Sequence, residues 1–366
     1  MNIVIIGGQN TLGLGGVETY VLNLSRALLN KGHEVTLICG DEINGKKVIG
    51  GVTVFQKRVP KLSLIGIPFL YFKSIGYIIK NCRNIDVVNF QSIYMAFIVG
   101  WIARVCGCNV CYTIHSLAED NPKYNIGLKL MLKLMSFVSV WSCGKNILTI
   151  SHSRANNVKK KYGKKCIVIP CGVNPPSTLL NSEILTRFGI IPNRFYLTIG
   201  RIAPIKNLDV LINAFCIRNS EDFQLVIAGD CENSYGKYLK NLARGNRNII
   251  FLGSVMGDDK QFLLKSCFIN CLISSSEGMP IALIESMVNG KSSIVTEIPS
   301  IQEVLQKEWG YWCKVRDVDS LLNQMNYVEK NYKQVIRNGE QMAEYTLNNY
   351  SWDNIAEKYL NYLYTL

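Results

Sequence analysis

The sequence predicts an α/β protein of two doubly wound, Rossmann-like domains facing a cleft. Short apolar strands alternate with helical segments along nearly the whole chain, the pattern of parallel sheets. The 366 residues suffice for two cores. A turn-rich segment, Pro170-Cys-Gly-Val-Asn-Pro-Pro176, separates two such series. In folds of this kind sites form at the carboxyl ends of the strands.

The first series reads as strands Asn2–Ile6, Val35–Cys39, Asp86–Phe90, Val110–His115, Ile147–Ile150 and Cys166–Ile169, with helical patterns such as Gly16–Asn30 and Ile126–Ser142 between them. The second reads as Phe195–Ile199, Gln224–Ala228, Ile249–Leu252, Phe268–Ile273 and Ser293–Thr296. Helical stretches close the chain, the last starting near Ser351 or Asp353, either able to cap it. The expected domains are 1–172 and 173–348, with a final helix in 349–366 packing back on the first.

An apolar content of 48% against 18% charged residues excludes a disordered chain. The longest uncharged apolar run, Ser92 to Ala103, is too short to span a bilayer. The start runs directly into a strand without a basic n-region, so no secretory signal is expected and the chain reads as cytoplasmic. Thirteen scattered cysteines read as reduced core thiols; Cys106, Cys108 and Cys111 lack a fourth ligand at zinc spacing.

Charge is uneven. Residues 1–190 hold 22 Lys/Arg against 8 Asp/Glu, whereas residues 191–366 hold 18 against 19, so the two halves are expected to meet different partners. Lys57 to Arg83 and Lys123 to Lys145 mix cations with apolar residues. Such segments either lie on an anionic membrane or pack on the sheet with a solvated basic face, and the sequence leaves both open. No nucleic-acid-binding module is recognisable.

Residues 274–290, Ser-Ser-Ser-Glu-Gly-Met-Pro-Ile-Ala-Leu-Ile-Glu-Ser-Met-Val-Asn-Gly, put Glu277 just before a helix and Glu285 inside it. Pro280 fits the first helical position, and the amides of Gly278, Met279, Ile281 and Ala282 then face outward at the positive end of the helix dipole. That is an anion site suited to phosphate, and an adjacent carboxylate can hold hydroxyls. Nucleotide-sugars combine both groups. Glu285 reads equally as a structural carboxylate, needing a partner in its apolar setting.

Arg201 and Lys206 follow the strand ending Thr-Ile-Gly200 and can neutralise a diphosphate, the one by a planar fork and the other as a point charge. Taken singly they read as solvated charges; Glu277 on a neighbouring strand end favours the functional reading. His115 ends an apolar strand and either faces the cleft as a hydrogen-bonding or proton-shuttling group or is a core histidine. Gly13, Gly15 and Gly16 open a helix after the first strand, fitting close phosphate approach or a plain tight turn. The dinucleotide fingerprint is not met, because Glu18 stands where its third glycine belongs, which disfavours a dehydrogenase.

These motifs resemble the retaining glycosyltransferases of family 4, which have the GT-B fold. The resemblance runs in order through Gly15-Gly16-Val-Glu18, Gly32-His33-Glu-Val35, Thr113-Ile-His115, Val168-Ile-Pro-Cys-Gly172-Val173, Gly200-Arg201 with Lys206, Ala228-Gly229-Asp230, Phe251-Leu-Gly253, and the Glu277–Glu285 pair followed by Gly290. It implies that the second domain binds a UDP- or GDP-sugar and the first an acceptor, a saccharide or lipid-linked one. Arg201 and Lys206 would hold the donor diphosphate, with Gly15 and Gly16 approaching the same phosphates. Glu277 and His115 would contact the donor sugar and Glu285 the ribose. Gly200, Gly278, Met279, Ile281 and Ala282 would also belong to the donor-binding set.

Transfer would retain anomeric configuration, and no metal would be needed. Asp317-Val-Asp319 fits an Asp-x-Asp pattern but reads as helix-start capping. The expected role is microbial surface polysaccharide synthesis, such as O-antigen, capsule or exopolysaccharide. A nucleotide-sugar 2-epimerase of the same fold and a non-catalytic nucleotide-sugar-binding protein are the alternatives. Met279-Pro280 departs from many relatives, which carry a bulky residue and another glycine there, and Pro280 removes one amide donor.

Overall fold

The computed structural model describes all residues except 10–15, 61–62, 118, 120–123, 178–181 and 219–221. The chain divides into two compact units: Met1–Gly172 with Trp352–Leu366, and Val173–Ser351.

The first unit holds strands β1 (Asn2–Gln9), β2 (Glu34–Asp41), β3 (Gly45–Ile49), β4 (Val52–Arg58), β5 (Val87–Phe90), β6 (Asn109–Ile114), β7 (Ile147–Thr149) and β8 (Ile167–Val168). Their order in the sheet is β3-β4-β2-β1-β5-β6-β7-β8. All pairs are parallel except β3–β4, an antiparallel edge hairpin beyond the predicted strands. Helices α1 (Gly16–Asn30), α2 (Ser63–Asn81), α3 (Ala96–Val105), α4 (Ile126–Ser142) and α5 (His152–Tyr162) connect the strands. The central strands are covered on both faces, so β5 reads as an unbroken buried run of Val87, Val88, Asn89 and Phe90.

In the second unit strands β9 (Phe195–Ile199), β10 (Gln224–Ala228), β11 (Ile249–Gly253), β12 (Ile269–Leu272), β13 (Ser293–Thr296) and β14 (Gly310–Cys313) form one sheet. Its order is β11-β10-β9-β12-β13-β14, all parallel. The helices are α6 (Ile184–Phe188), α7 (Leu208–Ile217), α8 (Ser234–Leu242), α9 (Gly257–Ser266), α10 (Ile281–Val288), α11 (Pro299–Gln302), α12 (Val318–Lys330) and α13 (Tyr332–Tyr350). Asp317 caps α12, its carboxylate accepting from Ser320 N at 2.8 Å.

An aromatic node anchors this core. The Tyr196 ring packs against Phe215, Phe223 and Phe268, while its hydroxyl donates to Glu329 at 2.6 Å. Arg218 pairs with the same carboxylate at 2.9 Å and lies over the three rings of Tyr196, Phe215 and Phe223. The buried charge is thus paired with one carboxylate and covered by three aromatic rings.

The last helix, α14 (Trp352–Leu363), belongs to the first unit and packs on α1. Tyr359 receives a 2.6 Å hydrogen bond from the Asn89 amide, and Trp352 meets Tyr20 edge-on. Cys108 and Cys111 are buried and Cys106 half-buried, all as free thiols. No helix among the described residues is long and apolar enough to cross a membrane.

Candidate active site

In the second sheet the chain winds outward from β9 to β10 and β11, then returns to place β12 on the other side of β9. The β9–β12 gap is therefore the topological switch point, where two loops leave neighbouring strand ends in opposite directions and open a crevice. Gly200 takes the chain out of β9 at φ +140°, a conformation that side-chain-bearing residues rarely adopt. Its N–H stays tied to the Ala228 carbonyl at 2.9 Å.

Beyond Gly200, a short turn at Pro204–Lys206 leads into α7, and this loop is stitched to the one following β12. Ser275 N donates to Ile205 O at 2.9 Å, and the buried Asn207 amide donates to Ile273 O and Ser275 Oγ, both at 2.8 Å. The stitching sets Lys206 Nζ against Glu277 Oε1 at 2.6 Å. Ser274 Oγ donates to the same oxygen at 2.6 Å, and its own carbonyl is held by Thr296 Oγ1 at 2.6 Å. Two residues 71 positions apart thus form a charge-assisted hydrogen bond at the switch point. Arg201 is exposed on the same loop, and no side chain among the described residues pairs with it.

Glu285 sits elsewhere on α10 and is held by Lys260 Nζ of α9 at 2.6 Å. The partner its apolar setting demands is therefore a lysine that the sequence did not single out. Pro280 lies at the cap of α10 and not at its first turn; its carbonyl accepts from Leu283 and Ile284. The Ile281 N–H is turned back onto Met279 O at 3.0 Å, so it is not one of the outward amides expected here. The reason is the conformation of Pro280, φ −82° and ψ 73°, which is that of an inverse γ-turn and not of a helix. Gly278 and Ala282 are half-buried at this entry and Met279 is buried.

In the first unit the corresponding switch point lies between β1 and β5. Gly16 begins α1 and is exposed; Gly15 and Gly13 lie outside the described residues. His115 stands one residue past β6, its Nε2 2.8 Å from Gln91 Oε1 just after β5. With that oxygen accepting, Nε2 carries the proton and Nδ1 the lone pair. Tyr20 covers the ring edge-on at 5.0 Å, and burial pushes the imidazole pKa down to about 4. Neutral His115 is therefore a hydrogen-bonding group near pH 7. The Gln91 amide nitrogen is buried and has no partner among the described residues, a donor left over for a ligand.

Ser274, Asn207, Lys260 and Gln91 were missed by sequence reasoning. The Ser-Ser-Ser run before Glu277 was the one available signal; the others become visible only through tertiary contacts. Among the described residues no group of three or more His, Cys, Asp or Glu is placed to hold a metal ion. The second-unit crevice offers two cations, a carboxylate and hydroxyl donors on rigid strand ends, a set able to bind a phosphorylated, hydroxylated ligand.

Sequence models of two families match this chain, glycosyltransferase family 4 over residues 14–176 and glycosyl transferases group 1 over residues 190–347. An uncharacterized glycosyltransferase of Methanocaldococcus jannaschii is 26% identical over 95% of this chain and 94% of its own. An Escherichia coli UDP-Gal:alpha-D-GlcNAc-diphosphoundecaprenol alpha-1,3-galactosyltransferase is 26% identical over 72% of this chain and 73% of its own. HepE of Anabaena, solved with UDP and glucose, superposes over the whole of both chains with a TM-score of 0.78 at 17% identity. Two such matched halves, each on a predominantly parallel sheet, define a glycosyltransferase of GT-B architecture. Residues 14–176 belong to the glycosyltransferase family 4 domain and residues 190–347 to the glycosyl transferases group 1 domain.

Proposed function

We propose that the enzyme transfers a hexosyl-type sugar from a UDP- or GDP-sugar to a saccharide or lipid-linked acceptor, with retention at the anomeric carbon and without a metal ion. The observation that carries this reading is the Lys206–Glu277 pair at the β9–β12 switch point, beside the exposed Arg201. A donor diphosphate competes with Glu277 for the Lys206 ammonium and engages Arg201 through its fork. Glu277, released from Lys206 and still held by Ser274, then accepts from hydroxyls of the donor sugar. Glu285 takes the ribose hydroxyls, while His115 and the Gln91 amide are the hydrogen-bonding groups that the first unit offers to a saccharide.

In the reaction the bond between the anomeric carbon and the β-phosphate oxygen breaks, its electron pair staying on the phosphate. The acceptor oxygen bonds to the same carbon from the same face, and its proton passes to the departing phosphate oxygen. Charge accumulates on the diphosphate, so electrostatic stabilisation by Arg201 and Lys206 is the main catalytic contribution. The acceptor class follows the E. coli relative, whose name specifies a diphosphoundecaprenol-linked saccharide. Microbial surface polysaccharide assembly at the cytosolic face of the membrane fits that acceptor.

The anomeric configuration of the product, read by proton NMR, tests retention. An α-linked product from an α-linked donor is expected, and an inverted product refutes the proposed chemistry. Trapping of a glycosyl-enzyme adduct would refute same-face attack specifically.

A further inference from the structure

Helices α2 to α5 of the first unit carry nine basic residues and no acidic one: two on α2, one on α3, two on α4 and four on α5. Over the longer span 43–182 the sequence has three carboxylates, Asp86, Glu119 and Asp120. Asp86 accepts from Asn2 N at the amino end of the sheet. Glu119 is buried, accepting from the hydroxyls of Tyr94, Ser136 and Tyr162. Asp120 lies outside the described residues, and Arg154 and Lys161 of α5 have partners of their own.

The same layer turns its apolar side outward. On α4 the residues facing the protein include Ser136 and Ser139, whereas Ile126, Leu130, Leu134, Phe137 and Trp141 form one stripe in solvent. Their spacing of three and four positions places them on a single face. Exposure along this stripe runs from 80% at Ile126 to 48% at Phe137. The neighbouring α3, which packs between α2 and α4, adds Trp101 and Val105 at 65% and 68%. An ordinary surface helix has the opposite arrangement, with serines in water and large apolar residues buried. Lys129 and Lys133 flank the stripe one turn apart, and the Lys164 ammonium sits 4.1 Å from the Trp141 ring centroid.

We propose that this face docks on an anionic lipid bilayer, with the α4 stripe entering the interface and the surrounding lysines and arginines meeting anionic headgroups. Charge selects the occupant: a second copy of the chain seated on the same face would set cation against cation, whereas an anionic bilayer offers both an apolar layer and the opposite charge. The proposal rests on the surface of the first unit and not on the donor site, so its failure leaves the transferase reading intact.

The test is co-sedimentation of the full chain with vesicles of phosphatidylglycerol and phosphatidylethanolamine, against phosphatidylcholine alone, at low and high salt. The variants are Leu130→Glu/Leu134→Glu and Lys129→Gln/Lys133→Gln, with folding checked by circular dichroism and thermal melting. Binding to the anionic vesicles alone is expected, weakened by salt, lost in the first variant and lowered at least tenfold (~) in the second, given about 1 kcal/mol for each cation near a charged surface. Equal binding to phosphatidylcholine, no binding to anionic vesicles, or wild-type binding by both folded variants overturns the proposal. A concentration-dependent dimer that the Leu130→Glu/Leu134→Glu variant disperses assigns the face to a second copy and also overturns it.

Discussion

Replacing Lys206 with methionine keeps most of the side-chain stem and removes the ammonium that holds Glu277 at 2.6 Å. In the free enzyme the effect is small. The two side chains are 21% and 12% exposed, and Glu277 keeps its 2.6 Å bond from Ser274. A lost charge-assisted hydrogen bond of about 1.5–3 kcal/mol is therefore an upper bound on destabilisation, lowered further by water entering the crevice. Catalysis loses more, because negative charge grows on the diphosphate as the sugar leaves. Loss of one preorganised electrostatic group costs about 10²–10³ in kcat, or about 3–4 kcal/mol of barrier. Lys206→Arg keeps the charge but changes its reach and geometry, so it should recover part of the rate. Steady-state release of nucleoside diphosphate, with thermal melting in parallel, measures both effects. A folded Lys206→Met enzyme with kcat within about threefold of wild type would refute the assigned role.

Glu285→Ala should raise the donor KM roughly tenfold with little change in kcat, as expected when ground-state hydrogen bonds to ribose are lost. An unchanged donor KM would reduce Glu285 to its structural pair with Lys260. His115 has its folded pKa lowered from 6.5 to about 4 by burial, so the unfolded chain binds the extra proton first as pH falls. Its contribution to stability is complete above pH 6.5 and is lost towards pH 4, by at most about 3 kcal/mol. The melting temperature should therefore drop across that window and drop less in His115→Gln; identical profiles count against a buried neutral imidazole. Arg218→Met, checked by urea unfolding, should cost about 3–5 kcal/mol, because the Glu329 carboxylate then keeps the Tyr196 hydroxyl as donor but loses its paired cation. A loss under about 1 kcal/mol would contradict that compensation.

The doubly wound pattern was legible because interior strands such as β9, β10 and β13 are short apolar runs bounded by turn residues. The β3–β4 hairpin was not, since β3 lies at the sheet edge with Lys46 and Lys47 exposed and lacks a buried alternation. Its turn, Gly50-Gly51 at φ +57° and +82°, was a readable hairpin signal between Val48-Ile49 and Val52. At the candidate site the strand-end positions of Arg201, Lys206, Glu277 and His115 followed from local pattern alone. Their partners did not. Lys206 meets Glu277, Lys260 meets Glu285 and Gln91 meets His115 only because particular strands and helices become neighbours, which no local spacing encodes. The entry to α10 differed because Pro280 takes an inverse γ-turn conformation instead of starting the helix.

The central claim is donor-dependent glycosyl transfer through the β9–β12 crevice. The most direct measurement is nucleoside diphosphate release from a panel of UDP- and GDP-sugars, with and without a lipid-linked acceptor extract, beside Lys206→Met. Release from one donor that rises with acceptor and falls about 10²–10³-fold in the variant is the expected result. Conversion of the donor to an epimer without release, or equal release by the folded variant, would contradict the account.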